Sequence, residues 1–133
     1  MNLKEANMRR AALEGVLTDN EWLTAADIGR LGGYSESNPA APANRWKKEG
    51  KLFAIRHQNK DWFPRYGLDD QYRPVPAISQ LLAILGPRYD GWQIAAWFDS
   101  SNAFLKGKKP KELLTEPARV VAAARRKHPA DHG

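Results

Sequence analysis

Residues 24–66 read TAADIGRLGGYSESNPAAPANRWKKEGKLFAIRHQNKDWFPRY, and the punctuation of this stretch decides the fold. Thr24-Ala25-Ala26-Asp27 has the form of a capping box with Asp in the place of Glu. It predicts a short helix that packs Ile28 and Leu31 and stops at Gly32-Gly33. Residues 34–41 are a polar turn. A second short helix is predicted from about Pro42 to Glu49, because Pro suits a first helical turn and Gly50 lies just past the end. In Leu52 to Arg56, Phe53 and Ile55 alternate with outward positions, which predicts a strand. Residues 57–61 are a polar loop, and Trp62 to Tyr66 is a second strand. Pro64 has no N–H to give a ladder, so this strand is expected at an edge. The fold class expected is therefore mainly α: a winged helix-turn-helix with a two-stranded β-hairpin, followed by a small helical domain.

Outward from that stretch, residues 3–17 are predicted to be a helix with Leu3, Ala6, Leu13, Val16 and Leu17 on its apolar stripe. Residues 67–76 hold two prolines and two aspartates and few apolar side chains, and are expected to be a linker. Helices are predicted at roughly 76–86, 91–98, 110–115 and 117–127. The division expected is a winged helix-turn-helix domain over 1–66, a linker over 67–76, a helical domain over 77–127 and a flexible tail over 128–133.

The chain has 133 residues, 42% of them hydrophobic, enough for one ordinary core or two small ones. No apolar run reaches membrane-spanning length, and Lys4, Glu5, Arg9 and Arg10 break any N-terminal apolar segment, so a cytoplasmic protein without a membrane partner is expected. The absence of cysteine excludes disulfides, thiolate metal sites and cysteine nucleophiles. His57, His128 and His132 have no partner at metal-ligand spacing, no Gly-rich phosphate loop is present, and Ser100-Ser101 lacks the context of a nucleophile elbow. Neither an enzyme nor a metal or other cofactor is expected.

The net charge is +6, and its placement is uneven. Residues 40–66 and residues 106–133 each carry a net charge of +5, whereas 1–39 and 67–105 each carry −2. Two separate basic blocks suggest two surfaces with different partners. In the first block, Ala43 and Trp46 lie three apart and can face a core, which leaves Asn44, Arg45, Lys47 and Lys48 outward. Asn and Arg have bidentate matches to adenine and guanine edges, so Asn44 and Arg45 are the candidates for reading bases. Lys47, Lys48, Lys51 and Arg56 are candidates for phosphate contacts. Gln58, Asn59 and Lys60 stand at the expected wing tip, and Ser35, Ser37 and Asn38, before the second helix, are further phosphate candidates. The order TAADIGRL, a helix, then NRWKKEGKLFAI resembles the DNA-binding part of MerR-like and excisionase-like winged regulators over about residues 22–66. The resemblance implies double-stranded operator DNA as partner. One module touches one half-site, so a homodimer or a larger assembly is expected.

The second block follows the stretch Trp92–Leu114, WQIAAWFDSSNAFLKGKKPKELL, in which a helix stops at Asp99-Ser100-Ser101-Asn102 and a new one opens at Pro110. Trp97-Phe98, Asn102-Ala103-Phe104-Leu105-Lys106-Gly107-Lys108-Lys109-Pro110 and Glu112-Leu113-Leu114 resemble the toxin-binding domain of Xre/MbcA/ParS-type antitoxins, over about residues 78–127. Ser101 stands where that family often has Pro, and Phe98 where it has Leu. Many relatives carry an all-helical DNA-binding half in place of a winged one. The resemblance implies an antitoxin of a type II toxin–antitoxin system that covers the active site of a RES-domain, NAD-consuming toxin and represses its own operon. The toxin-binding candidates are Asn102, Phe104, Lys106, Gly107, Lys108, Lys109, Arg119, Arg125, Arg126 and Lys127. The alternative is a winged-helix transcription regulator whose C-terminal half dimerises or makes another protein contact.

Overall fold

The computed structural model describes residues 2–34 and 36–127; Ser35, His128, His132 and the expected tail lie outside them. The first element, α1 (Leu3–Thr18), is capped by Asn2, whose side chain accepts from the Glu5 N–H at 2.8 Å. Only its C-terminal half packs: Val16 is buried, whereas Leu3, expected on the apolar stripe, is 76% exposed. After β1 (Trp22–Leu23), α2 (Ala25–Gly32) opens on the anticipated capping box, with Thr24 Oγ1 accepting from Asp27 N–H and Asp27 accepting from Thr24 N–H, both at 3.1 Å. It ends at Gly33, whose φ of 69° lies in the left-handed region. Ile28 is buried as expected, but Leu31 faces solvent.

Helix α3 (Ala41–Lys48) has Pro42 in its first turn and is followed by Gly50 at φ 71°. It lies against α2 because Gly29 has no side chain; a Cβ there would sit 1.8 Å from the Pro39 carbonyl oxygen. Strands β2 (Ile55–His57) and β3 (Lys60–Pro64) form the hairpin. The turn is shorter than the polar run 57–61 suggested. Gln58 and Asn59 alone make it, at φ 53° and 64°, the two-residue left-handed arrangement that matches strand twist.

Among the described residues the sheet has three strands, not two, in the order β1-β3-β2, all antiparallel. Strand β3 is therefore central and not at an edge. Pro64 is tolerated there because it is the last residue of the strand, and the next N–H, of Arg65, donates to Glu21 at 2.9 Å. A two-residue strand such as β1 leaves no alternation to read, which is why sequence periodicity passed over it.

Residues 67–76, expected as a linker, form a closed loop. Leu68 bridges Pro74, Val75 N–H donates to Gly67, and the Asp69 carboxylate accepts from the N–H groups of Gln71 and Arg73. The Arg65 guanidinium donates to the carbonyls of Leu68 and Asp69 and lies over the Tyr72 ring at 4.4 Å.

The chain then continues through α4 (Pro76–Leu85), α5 (Gly91–Phe98), 3-10 turns at Ala103–Leu105 and Pro110–Leu113, and α6 (Pro117–Arg126). The segment 110–115, predicted as a helix, is a single tight turn. Pro117 disfavours the helical region for Glu116 and closes the segment off.

The sheet separates two groups of buried side chains. Leu23 and Phe63, paired across β1 and β3, face a cluster with Ile28, Ala43, Trp46, Leu52 and Leu68. Ile55, paired with Trp62, faces the other cluster, built from α4, α5 and α6. Phe53 joins that second cluster by stacking on Phe98, with centroids 5.5 Å apart and planes 4° from parallel. The base of the hairpin is thus buried on both faces, its tip is exposed, and the two clusters meet through the base. Among the described residues no helix is long and apolar enough to cross a membrane.

Candidate nucleic-acid interface

The α3 surface divides as its spacing required. Ala43 and Trp46 are buried, and Asn44, Arg45, Lys47 and Lys48 are exposed. Tyr34 meets the Trp46 ring edge-on at 5.6 Å and donates its hydroxyl proton to the Gln71 carbonyl, so the buried side of α3 is pinned to the 67–76 loop. The outward side belongs to a shallow concavity formed by Asn44, Arg45, Lys47, Lys48 and Asp61. A second concavity adjoins it through Asn44 and runs between Thr24, Ala26 and Arg30 of the α2 region and Arg56 and Lys60 of the hairpin.

Three elements therefore converge on one cationic surface. Of the sequence candidates, Asn44, Arg45, Lys47, Lys48, Arg56 and Lys60 line it. Gln58 and Asn59 form the hairpin tip. Ser37 and Asn38 are exposed in the turn before α3, and Lys51 pairs with Glu49 at 3.3 Å beside it. Ser35 lies outside the described residues.

Sequence reasoning missed Arg30 and Asp61. Arg30 lies on the solvent side of α2, one turn before the Gly33 stop, and its charge in a helix that packs through Ile28 is the available signal. Asp61 belongs to the run 57–61 that the sequence predicts as a polar loop. It is instead the clamp of the site, with Oδ2 2.8 Å from Lys47 Nζ and Oδ1 3.2 Å from Arg56 Nη1, which ties α3 to the hairpin. The hydrogen-bonded Lys47 ammonium holds this carboxyl below the usual carboxylate range against the opposing effect of partial burial, and Arg56 adds to the lowering.

A lowered carboxylate pKa gives stability that is present above the unfolded value and lost as pH falls through the folded one. Both cations are well exposed, so the clamp contributes only about 0.5–1 kcal/mol. Asp61→Asn is expected to lower stability by that amount at pH 7. Its urea midpoint is expected to converge on that of the unsubstituted protein once pH has fallen below the ordinary carboxylate range and through the lowered folded value of Asp61, where both side chains are neutral. A constant difference down to that pH would show that the carboxylate charge is not what matters.

The C-terminal candidates fall on a second surface. Asn102 fixes its loop by accepting from Phe104 N–H at 2.9 Å, and its carbonyl accepts from Leu105 and Gly107. Lys106 and Gly107 both lie at positive φ, 58° and 86°. Phe104 is 47% exposed beneath the Arg126 guanidinium, 4.8 Å from the ring centroid. Lys106, Lys108, Arg125 and Lys127 are exposed. Lys109 is drawn away to Asp99 at 3.7 Å, and Arg119 pairs with Glu116 at 3.2 Å. Among the described residues there is no group of side chains that could hold a metal ion.

No protein-family model and no curated protein matches the chain. Among solved structures it is similar to the NMR structure of the protein Rv2175c, with a TM-score of 0.68 and 20% identity over 83% of this chain and 82% of that one. At that identity the likeness extends to the fold, a mainly helical chain around a small three-stranded antiparallel sheet.

Proposed function

We propose that the chain is a sequence-specific, double-stranded-DNA-binding regulator of the winged helix-turn-helix kind, with α3 as the recognition helix and the β2–β3 hairpin as the wing. The observation that carries this reading is the convergence of Asn44 and Arg45 of α3, Arg30 of α2 and Arg56 and Lys60 of the hairpin on one open cationic surface. The order of elements supports it: a helix, a short strand, two packed helices, then a hairpin whose tight tip projects beside the second helix. Asn44 and Arg45 read base edges in the major groove, and Lys48, Lys60 and Arg56 hold phosphates. Arg45→Ala is expected to relax sequence preference at one base pair by about 1–3 kcal/mol. Lys60→Ala should weaken binding to every duplex alike and flatten the salt dependence by about one unit of slope. Fluorescence anisotropy on matched and mismatched duplexes distinguishes the two. Equal, sequence-independent losses from both variants would overturn the assignment of Arg45.

A second reading has one observation in its favour. The half-exposed Phe104 beneath Arg126, on a loop that carries Lys106, Gly107 and Lys108, is an aromatic anchor with a basic rim, the composition of a protein-docking surface. On this reading the chain is also an antitoxin whose loop 102–109 and α6 end cover a RES-type toxin. Its test is growth of cells in which the neighbouring gene product is induced alone and then with this chain. Toxicity relieved by this chain, and not by its Phe104→Asp variant, would support the reading. Absence of toxicity would remove it.

A further inference from the structure

The two basic blocks are far apart in sequence, but half-buried aromatic side chains at the start of α5 touch a member of each: Trp92 meets the Arg56 backbone and Tyr89 meets Lys127. Helix α5 lies across the free edge of β2, and the fit is close: a Cβ on Gly91 would stand 2.0 Å from the Ala54 carbonyl oxygen. Trp92, in the first turn of α5, donates its indole N–H to the Arg56 carbonyl at 3.0 Å and meets the His57 ring edge-on at 5.9 Å. The N-terminal end of α5 is therefore fixed beside the strand that leads into the hairpin tip. Tyr89 lies three residues before Trp92, and over its ring, 4.8 Å from the centroid, stands the Lys127 ammonium at the end of α6. A shallow depression lined by Tyr89, Gln93, Ser100 and Lys127 continues along α5 from there.

Arg56 and the cationic last turn of α6 are thus both reached from the N-terminal end of α5, the first through Trp92 and the second through Tyr89. Arg125, Arg126 and Lys127 are exposed there and pair with no carboxylate among the described residues. Besides Asp61, which pairs with Arg56, Asp90 stands beside these residues. It caps α5 by accepting from Gln93 N–H at 2.8 Å, which sets its charge against the positive end of that helix. A cation over an aromatic face keeps its charge while its stem is held in place, which suits a phosphate contact that must be positioned but not buried.

We infer that the C-terminal end of α6, through Arg125 and Lys127, is a second contact to the DNA phosphate backbone, on the duplex flanking the segment touched by the hairpin. The inference rests on the DNA-binding reading above and deepens it: the interface extends past the wing, and the second basic block serves the same polyanion as the first. Backbone contacts carry no sequence information, so this surface adds affinity and register but no base preference.

The test compares the unsubstituted chain with the double variant Arg125→Gln, Lys127→Gln. The probes are a duplex of about 10 bp, one helical turn, and one of about 20 bp, both centred on a sequence selected by the unsubstituted chain. Each neutralised phosphate adds about 0.9 to the slope of log K against log salt. The expected result is a slope lowered by between about 1 and 2 on the longer duplex and unchanged on the shorter, with unaltered sequence preference and unaltered thermal midpoint. Equal slopes for the two proteins on the longer duplex would overturn the inference and leave the recognition helix and wing standing. That result together with loss of binding to a partner protein would assign the surface to protein docking. If the unsubstituted chain selects no sequence and binds neither duplex, the DNA-binding reading falls, and this inference falls with it.

Discussion

Phe98→Ala is expected to lower stability by about 3–5 kcal/mol, a large part of the 5–15 kcal/mol that holds a domain folded. Phe98 is fully buried at the end of α5 and touches three aromatic rings: Phe53 in a parallel stack, Tyr66 at 5.3 Å and Trp97 edge-on at 5.2 Å. Phe53 and Tyr66 flank the hairpin, and Phe98 and Trp97 belong to the C-terminal half. The ring therefore sits on the seam between the halves, and its removal leaves a cavity that neither half can close alone. The loss should appear as one cooperative transition. In hydrogen exchange, the amides of Trp46 and Ile94, in the cluster on either side of the sheet, should lose protection together. Loss at Ile94 with full protection at Trp46 would mean that the halves fold independently and that the contact across the sheet contributes little.

Lys111→Met is expected to cost about 3 kcal/mol for a different reason. Lys111 is mostly buried and lies 2.5 Å from Asp99 Oδ1, and it donates to the Asn20 side chain at 2.6 Å. One ammonium thus joins the 110–113 turn, the end of α5 and the turn after α1. The angles at Asp99 fall outside ordinary hydrogen-bond geometry, so charge rather than direction holds this pair. Removing the cation leaves a nearly buried carboxylate, which is more costly than a surface pair is worth, and Lys109, at 3.7 Å, compensates only in part. The nearby Tyr66 hydroxyl is buried with no hydrogen-bond partner among the described residues, and burial, followed by the Asp99 charge, pushes its pKa well above the usual value. It remains neutral and so places no second negative charge beside Asp99. Adding Asp99→Asn to Lys111→Met should restore part of the lost urea midpoint. A double variant as unstable as the single one would show that the Asn20 contact, and not the buried charge, is what Lys111 supplies.

The helices were legible because each carries its own start and stop. The Thr24–Asp27 box, Pro42 in the first turn of α3, and the glycines at 33 and 50 are local signals, and the fold obeys them. What was not legible depends on contacts distant in sequence. Strand β1 exists only because Trp22 and Leu23 find Pro64 and Phe63, and that pairing made β3 central. Leu3 and Leu31 have apolar character at helical spacing, yet both remain largely exposed among the described residues. The closure of residues 67–76 rests on side chains that a composition-based reading takes for a linker. For the site, the outward face of α3 followed from Ala43 and Trp46 turning inward. Asp61 could not be ranked before the hairpin register placed it opposite Arg56 and within reach of Lys47. The C-terminal candidates were grouped by resemblance; packing instead spends Lys109 and Arg119 on carboxylates and leaves Phe104, Lys106, Lys108 and the end of α6 facing outward.

Selection from a pool of random duplexes tests base reading by α3 most directly. The unsubstituted chain is expected to enrich one short motif, and Arg45→Ala to enrich the same motif with one base pair, most simply a guanine contact, no longer specified. A pool that emerges without enrichment, or an identical motif from Arg45→Ala, would contradict the reading of α3 as the recognition helix.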